Sequence, residues 1–193
     1  MKFLSGLFFF VSCFVIVNAQ TEQSLPVDEQ GKFIYYEVVN STAAKDLLKQ
    51  RAINYAKKQN KDLKFKAIQG DTALLATGKL VINKTLLVMS HPSGEVLYKF
   101  QTEIKEGKYR FWLTDFSFIP YQRDRYGNFV PSTSIGIPLE KDPGKLNAGE
   151  WKEYKAQTVK YAKDFAVKFR NFMASKTPVT VLPVEKKVVK KEW

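Results

Sequence analysis

The stretch Val96-Leu97-Tyr98-Lys99-Phe100-Gln101-Thr102-Glu103-Ile104-Lys105-Glu106-Gly107-Lys108-Tyr109-Arg110-Phe111-Trp112-Leu113-Thr114-Asp115 decides the fold class of this chain. Val96, Tyr98, Phe100, Thr102 and Ile104 alternate with polar residues, Glu106-Gly107 supplies a turn, and Tyr109, Phe111, Leu113 and Asp115 return at the same spacing. Successive side chains of a strand point to opposite faces, so a period of two across a short turn specifies two antiparallel strands with one buried face.

The same reasoning extends in both directions. Upstream, Leu63, Phe65 and Ala67 alternate with lysines, and Gly70-Asp71 marks a turn. Thr72 to Ile82 forms a further strand with Gly78 as a bulge position, and Thr85 to Ser90 another, ended by a turn at His91-Pro92-Ser93-Gly94. Before them, Phe33 to Val39 is rich in aromatic and β-branched residues and reads as a first strand that buries Ile34, Tyr36 and Val38. Asn40-Ser41-Thr42 then offers capping residues for a helix over Ala43 to Lys58, with Leu48, Ala52 and Tyr55 on its apolar face. Downstream, Tyr121 to Leu146 holds three prolines and reads as a long irregular connection. Trp151, Tyr154, Thr158, Tyr161, Phe165, Phe169 and Phe172 then step by three and four along one face of a long helix. Strand, helix, a run of strands and a final helix make an α+β domain, an antiparallel sheet packed against two helices.

Composition bounds the chemistry. The 193 residues carry 31 Lys and Arg against 19 Asp and Glu, a net charge of +12, with one Cys and one His. A thiolate metal site, a disulfide framework or a Cys/His nucleophile pair needs residues that are hardly present, and no cofactor is expected. Met1-Lys2, the apolar run Phe3 to Val17 and the small residues before Gln20 read as a signal peptide over 1–19. The run is too short for the roughly 20 apolar residues of a membrane span, so no transmembrane segment is expected after cleavage. Cys13 would leave with it, and the exported chain would be free of cysteine. Residues 20–30 read as a polar leader, 31–175 as the domain, and 176–193, with Lys186-Lys187 and Lys190-Lys191, as a basic extended tail. The expected location is the periplasm or cell surface.

Several short segments, taken in order, resemble a known family. These are Leu25-Pro26-Val27, Gly31-Lys32, Tyr36-Glu37-Val38-Val39, Tyr98 to Ile104, Gly107-Lys108-Tyr109-Arg110-Phe111, Thr114-Asp115-Phe116 and Pro138-Leu139-Glu140. In that order they resemble domain-of-unknown-function family 4468, exported proteins of Bacteroidota. The resemblance implies a TATA-binding-protein-like fold; it implies no catalytic residues, and it does not extend to the lysine-rich tail.

No motif for a nucleophilic serine, a phosphate loop or a zinc protease occurs. His91 reads as a turn residue, and Glu103, Glu106 and Asp115 as solvated or cross-strand paired carboxylates. The candidate binding surface is Tyr121, Arg123, Arg125, Tyr126 and Phe129, since two of only five arginines sit there among aromatics. The expected function is a non-enzymatic envelope binding or assembly module with a basic surface. Its expected partners are anionic envelope components, lipid head groups or acidic polysaccharide, or another envelope protein, and not nucleic acid. The alternatives are a metal-independent hydrolase using carboxylates on the sheet and a structural surface component. Asn40 and Asn83 lie in sequons that matter only in a eukaryotic host, and Asp71-Thr72-Ala73 matches a short O-glycosylation signal.

Overall fold

The computed structural model describes residues 24–70, 72–86 and 89–175. The expected signal peptide, the tail 176–193 and Asp71 lie outside these residues. Strand β1 (Tyr35–Asn40) leads into helix α1 (Lys45–Asn54), which ends in a π-helical turn, Tyr55–Gln59. Strands β2 (Leu63–Gln69), β3 (Ala73–Leu86), β4 (Met89–Lys105) and β5 (Lys108–Arg123) follow, then the short β6 (Phe129–Pro131) and β7 (Ile137–Pro138). A 3₁₀ turn, Lys145–Asn147, leads into helix α2 (Ala148–Ala174). The sheet order is β1-β5-β4-β3-β2, all antiparallel, with β6 and β7 pairing β5. This is the expected α+β plan.

The hairpin of β4 and β5 stands where the period of two puts it. Val96, Tyr98, Phe100, Thr102, Ile104, Tyr109, Phe111 and Leu113 are all buried on the face that both helices cover. Gly107 takes φ +72°, which a turn of two residues between Lys105 and Lys108 requires. The alternation then breaks. Asp115 has φ +55° and is the extra residue of a bulge on β5, so Phe116 and Phe118, not Asp115, continue the buried row.

The core is aromatic. Phe169 of α2 lies 4.9 Å from Phe111, 5.1 Å from Phe100 and 5.0 Å from Tyr55 of the π-helical turn, between ring centres. At the other end of α2, Tyr154 stacks on Phe118 at 4.2 Å, and Trp151 Nε1 donates to the Leu139 carbonyl at 3.0 Å. The expected apolar face of the first helix is found, with Leu48, Ala52 and Tyr55 buried. Arg51 beside them donates through Nη1 to the Met173 carbonyl, a cation at the C-terminal end of α2 where the helix dipole favours one. Leu25 is part of this core, so packing reaches into the segment read as a leader.

Several expectations are corrected. On β1 the buried-side residues are Tyr35, Glu37 and Val39, opposite Leu113, Phe111 and Tyr109, while Tyr36 and Val38 are exposed and Ile34 precedes the strand. In this phase Tyr35 and Val39 pack against the core, and Glu37 between them takes two bonds from Arg170 of α2 on the helix side. Position 44, an alanine without a side-chain bond, caps α1 in place of Asn40-Ser41-Thr42. Gly78 is no bulge: it pairs with Tyr98, and the bulges lie at Phe65/Ala67, which turns Ala67 to the other face, and at Ile82/Asn83. His91-Pro92-Ser93-Gly94 is strand, not turn. Pro92 sits opposite Asn83 at the second bulge, where a missing N–H costs no ladder bond. The connection after Tyr121 is more ordered than expected, since β5 continues to Arg123 and β6 and β7 pair with it.

Two substitutions test this packing by urea or thermal denaturation. Phe169→Ala is expected to cost about 3–5 kcal/mol, because its ring fills the meeting point of both helices and the sheet. Gly78→Ala places a Cβ 2.3 Å from Cζ of Tyr98, whose hydroxyl is bonded to that of Tyr161 at 2.6 Å. With the ring held, a loss of about 1–3 kcal/mol is expected.

Candidate functional site

Helices cover one face of the sheet and leave the other uncovered among the described residues. Alternation assigns its side chains: Leu97, Lys99, Gln101 and Glu103 of β4 have buried neighbours on either side and therefore point to the open face, and Lys105 follows Ile104 in the same alternation. Register adds Arg110, Trp112 and Thr114 from β5, Tyr36 and Val38 from β1, and Thr77 and Lys79 from β3.

The carboxylates on this side are neutralised where they stand. Glu103 accepts from Arg110 at 2.8 Å through Nε and 2.6 Å through Nη2, a two-point grip that also holds the guanidinium 5.7 Å from the Trp112 ring. Asp115, presented by the bulge, is bridged by Lys32 and by Lys99 at 2.7 Å. The hydrogen bonds from Lys32 and Lys99 hold its carboxyl below the ordinary value of 3.8. Glu95, almost fully buried, accepts from Lys79 at 2.9 Å and from the Tyr121 hydroxyl at 2.8 Å. The opposite end of the face is different. Lys105 and Lys108 face each other across the turn and, like Lys64 on β2, have no charged partner among the described residues. Directly opposed like charges are unfavourable in a sheet. With Arg110, Tyr36, Val38, Glu103 and Tyr109 they line a shallow pocket of about 160 Å³.

The candidate surface read from the sequence lies at the far end of β5. Arg123 stacks on Phe129 at 4.8 Å across the β5–β6 hairpin, and Arg125 on Tyr126 at 4.8 Å. Asp124 organises the turn by accepting the backbone N–H of Tyr126 and Asn128 at 2.8 and 2.9 Å. Tyr121 turns toward Glu95, and its hydroxyl is pushed up to about 12, first by burial and then by that bond. Glu95 and Lys105 are ten residues apart on one strand, about 33 Å, so the hairpin and the lysine pair are separate features.

The carboxylates weighed for catalysis do not converge. Glu106 sits in the turn, Glu103 is held by Arg110 and Asp115 is kept ionised, the opposite of what a general acid needs. A larger pocket of about 480 Å³ beside the start of α2 is lined by Phe118, Trp151, Tyr154, Ser93 and Glu150. Its polar groups satisfy one another: Lys84 holds Glu150 ionised, and the Tyr154 hydroxyl, raised mainly by burial, lies 3.3 Å from both Ser93 Oγ and Glu150 Oε2. Ser93 thus has a raised phenol for its hydrogen-bond partner and, among the described residues, no base bonded to it. Among the described residues no group of three His, Cys, Asp or Glu could hold a metal ion, and no helix is long and apolar enough to cross a membrane. His91 stacks on Phe129 at 5.7 Å.

What the sequence did not reveal is the clamp made by the segments that carried the resemblance. Lys32 reaches Asp115, Thr114 Oγ1 donates to the Phe33 carbonyl at 3.2 Å, and Phe33 N donates to Glu140 Oε1 at 2.6 Å. Short segments far apart in sequence meet to pin the N-terminal strand.

The family model described as "Domain of unknown function (DUF4468) with TBP-like fold" matches residues 36–119, from β1 nearly to the end of β5. No curated protein matches the chain. Two solved structures are similar to it. A DUF4468 family protein from Bacteroides ovatus superposes with a TM-score of 0.54 at 13% identity, over 84% of this chain and 95% of that one. A TBP-like protein from Parabacteroides distasonis gives a TM-score of 0.55 at 16% identity, over 77% and 96%. At such identities the likeness is one of fold, the fold that the resemblance of the ordered segments implies, and the family model that matches is the one those segments resemble.

The bridge at Asp115 carries a pH dependence whose sign is determined. A carboxyl whose pKa is lowered by folding stabilises the protein above its unfolded value, and that stability is lost as pH falls through the folded one. Asp115→Asn keeps a residue that tolerates positive φ and removes the charge. Denaturation curves are expected to show the variant less stable at pH 7 by up to about 1 kcal/mol, with the gap closing as pH falls below the ordinary carboxylate value of 3.8.

Proposed function

We propose that this chain, on the fold it shares with the DUF4468 proteins, is an exported, non-enzymatic module of the cell envelope that binds an acidic polysaccharide on the open face of its sheet. The observation that carries the reading is the charge arrangement at the turn of β4 and β5. Lys105 and Lys108 oppose each other without a charged partner among the described residues, while the carboxylates Glu95, Glu103 and Asp115 are already engaged. A shared anion relieves the repulsion of two ammonium groups, and Tyr36 in the same pocket, with Trp112 6.4 Å from it between ring centres, gives a sugar ring an aromatic surface. Lysine is a compact point charge without the fork of arginine, which suits a repeated polyanion better than base-edge readout. The apolar run Phe3 to Val17 supports export and so weighs against a nucleic-acid role for a fold that elsewhere has one.

Titration calorimetry of the chain from Gln20 with polygalacturonate at 50 and 300 mM NaCl tests the proposal. Binding is expected to weaken strongly at the higher salt. Lys105→Gln with Lys108→Gln is expected to lower affinity at 50 mM NaCl by about tenfold, roughly 1.4 kcal/mol. Equal affinity in the variant, or binding that salt leaves unchanged, would refute it, and preferential binding to anionic lipid vesicles would move the partner to a membrane surface.

A further inference from the structure

A pocket of about 500 Å³ lies on the helix side of the molecule, between the π-helical turn Tyr55–Gln59 and the C-terminal half of α2. Its floor is a row of rings. Tyr55 lies 5.5 Å from Phe172 and 5.7 Å from Phe165, and Phe165 lies 6.3 Å from Tyr161, between ring centres. Tyr55 and Phe165 are buried, whereas Tyr161 and Phe172 are only partly so and keep ring surface toward the pocket. It shares no residue with the pocket of the lysine pair on the open face.

Two carboxylates, Asp62 and Asp164, stand exposed at the rim. The first is placed by the π turn, a rare geometry that recurs at functional sites. There the Asn60 N–H donates to the Tyr55 carbonyl five residues back at 3.0 Å, and Asn60 Oδ1 accepts the Asp62 N–H at 3.0 Å. The second is placed by α2, three residues after Tyr161, a spacing that makes the two neighbours on the helix surface. Glu37, Glu95, Glu103, Asp115 and Glu150 each bond a lysine or an arginine. Asp62 and Asp164 bond none among the described residues, in a chain of net charge +12. The Tyr161 hydroxyl is pushed up to about 12, first by burial and further by the charge of Asp62, so the field of that carboxylate reaches the ring.

We propose that this pocket is a site for a small organic cation, an alkylammonium group held against the rings of Tyr161 and Phe172 beside the carboxylates of Asp62 and Asp164. The face of an aromatic ring carries negative potential and attracts a cation, and the two carboxylates add to that potential. A metal cation, strongly hydrated, gains nothing from an apolar floor, whereas an alkylammonium buries its methyl or methylene groups there. Lys61 and Lys168 also line the pocket, but neither bonds the carboxylates. Lysine carries its charge on a flexible stem of four carbons that reaches out to water, while aspartate holds its charge close to the backbone. The potential over the rings is therefore set by the aspartates.

Amide chemical shifts of the exported chain test the proposal, followed while sodium chloride is exchanged for choline chloride up to about 50 mM at constant ionic strength. Choline is expected to shift the amides of residues 60–62 and 161–172 in a saturable way. Its uncharged isostere, with a tert-butyl group in place of the trimethylammonium, is expected to bind at least about tenfold more weakly. Asp62→Asn with Asp164→Asn is expected to lower choline affinity by about tenfold, and Phe172→Leu, which keeps apolar volume but removes a ring face, by about threefold. Unmoved amides in β4 and β5 would show that the variants keep the fold. Equal affinity in the double variant, equal binding of the isostere, or the absence of a saturable shift overturns the proposal. So does acetate shifting these amides in place of choline, which would assign the pocket to its lysines. Sedimentation with phosphatidylcholine vesicles separates the sources of the group: co-sedimentation that free choline reverses supports a lipid headgroup, and choline binding without it supports a free amine.

Discussion

Phe169 is where the structure is tied together. Its ring meets Phe100 and Phe111 from the two central strands, Tyr109 from the start of β5 and Tyr55 from the end of the first helical segment. Edge-to-face contacts of this kind combine large apolar burial with a preferred angle, so they fix orientation as well as proximity. Once α2 is held there, its length carries Tyr154 and Trp151 to Phe118 and Leu139 at the other end of the sheet. Arg51 then reaches the final carbonyls of α2, and Arg170 reaches Glu37. A sheet gripped on one face by both helices has only its other face and its edges to offer a partner.

That division explains the placement of charge. The helix-covered face tolerates Glu37 only with Arg170 against it, and on the other face Glu95, buried at its far end, is held by Lys79 and Tyr121. The open face can hold unpaired lysines because water solvates them. Lys105 and Lys108 stand there in spite of their mutual repulsion, in one pocket with Tyr36.

The hairpin from Val96 to Leu113 was legible because a strand of strict period two buries every second residue, and here the buried residues are large and apolar. α2 was legible for the equivalent reason at helical spacing. The phase of β1 was not. Tyr36 and Val38 are apolar enough to suggest burial, yet Tyr35 and Val39 take the helix side with Glu37, whose partner Arg170 is too distant in sequence for any local pattern to reveal. The same holds for Asp115, which keeps the alternation on paper while a bulge turns it outward to Lys32 and Lys99. His91-Pro92-Ser93-Gly94 carries the residues of a turn, yet it is strand: Ser93 is the extra residue of a bulge next to Pro92, and Asn83 opposite Pro92 bonds the Gln157 side chain through its N–H and C=O. As for the site, composition announced a basic surface. Which lysines remain unpaired depends on register, and the arginine-bearing hairpin singled out from sequence sits at the end of the face opposite to the lysine pair.

The amino-acid sequence alone determined the α+β class, the sheet's central hairpin, the long amphipathic helix and the excess of lysine, since each is a property of local periodicity or of counting. Only the tertiary structure decided which face of β1 is buried, where the bulges fall and which carboxylates are already spent on cations. Those outcomes depend on pairs such as Glu37 with Arg170 and Lys32 with Asp115, whose energies arise only when remote parts of the chain are brought within hydrogen-bonding distance.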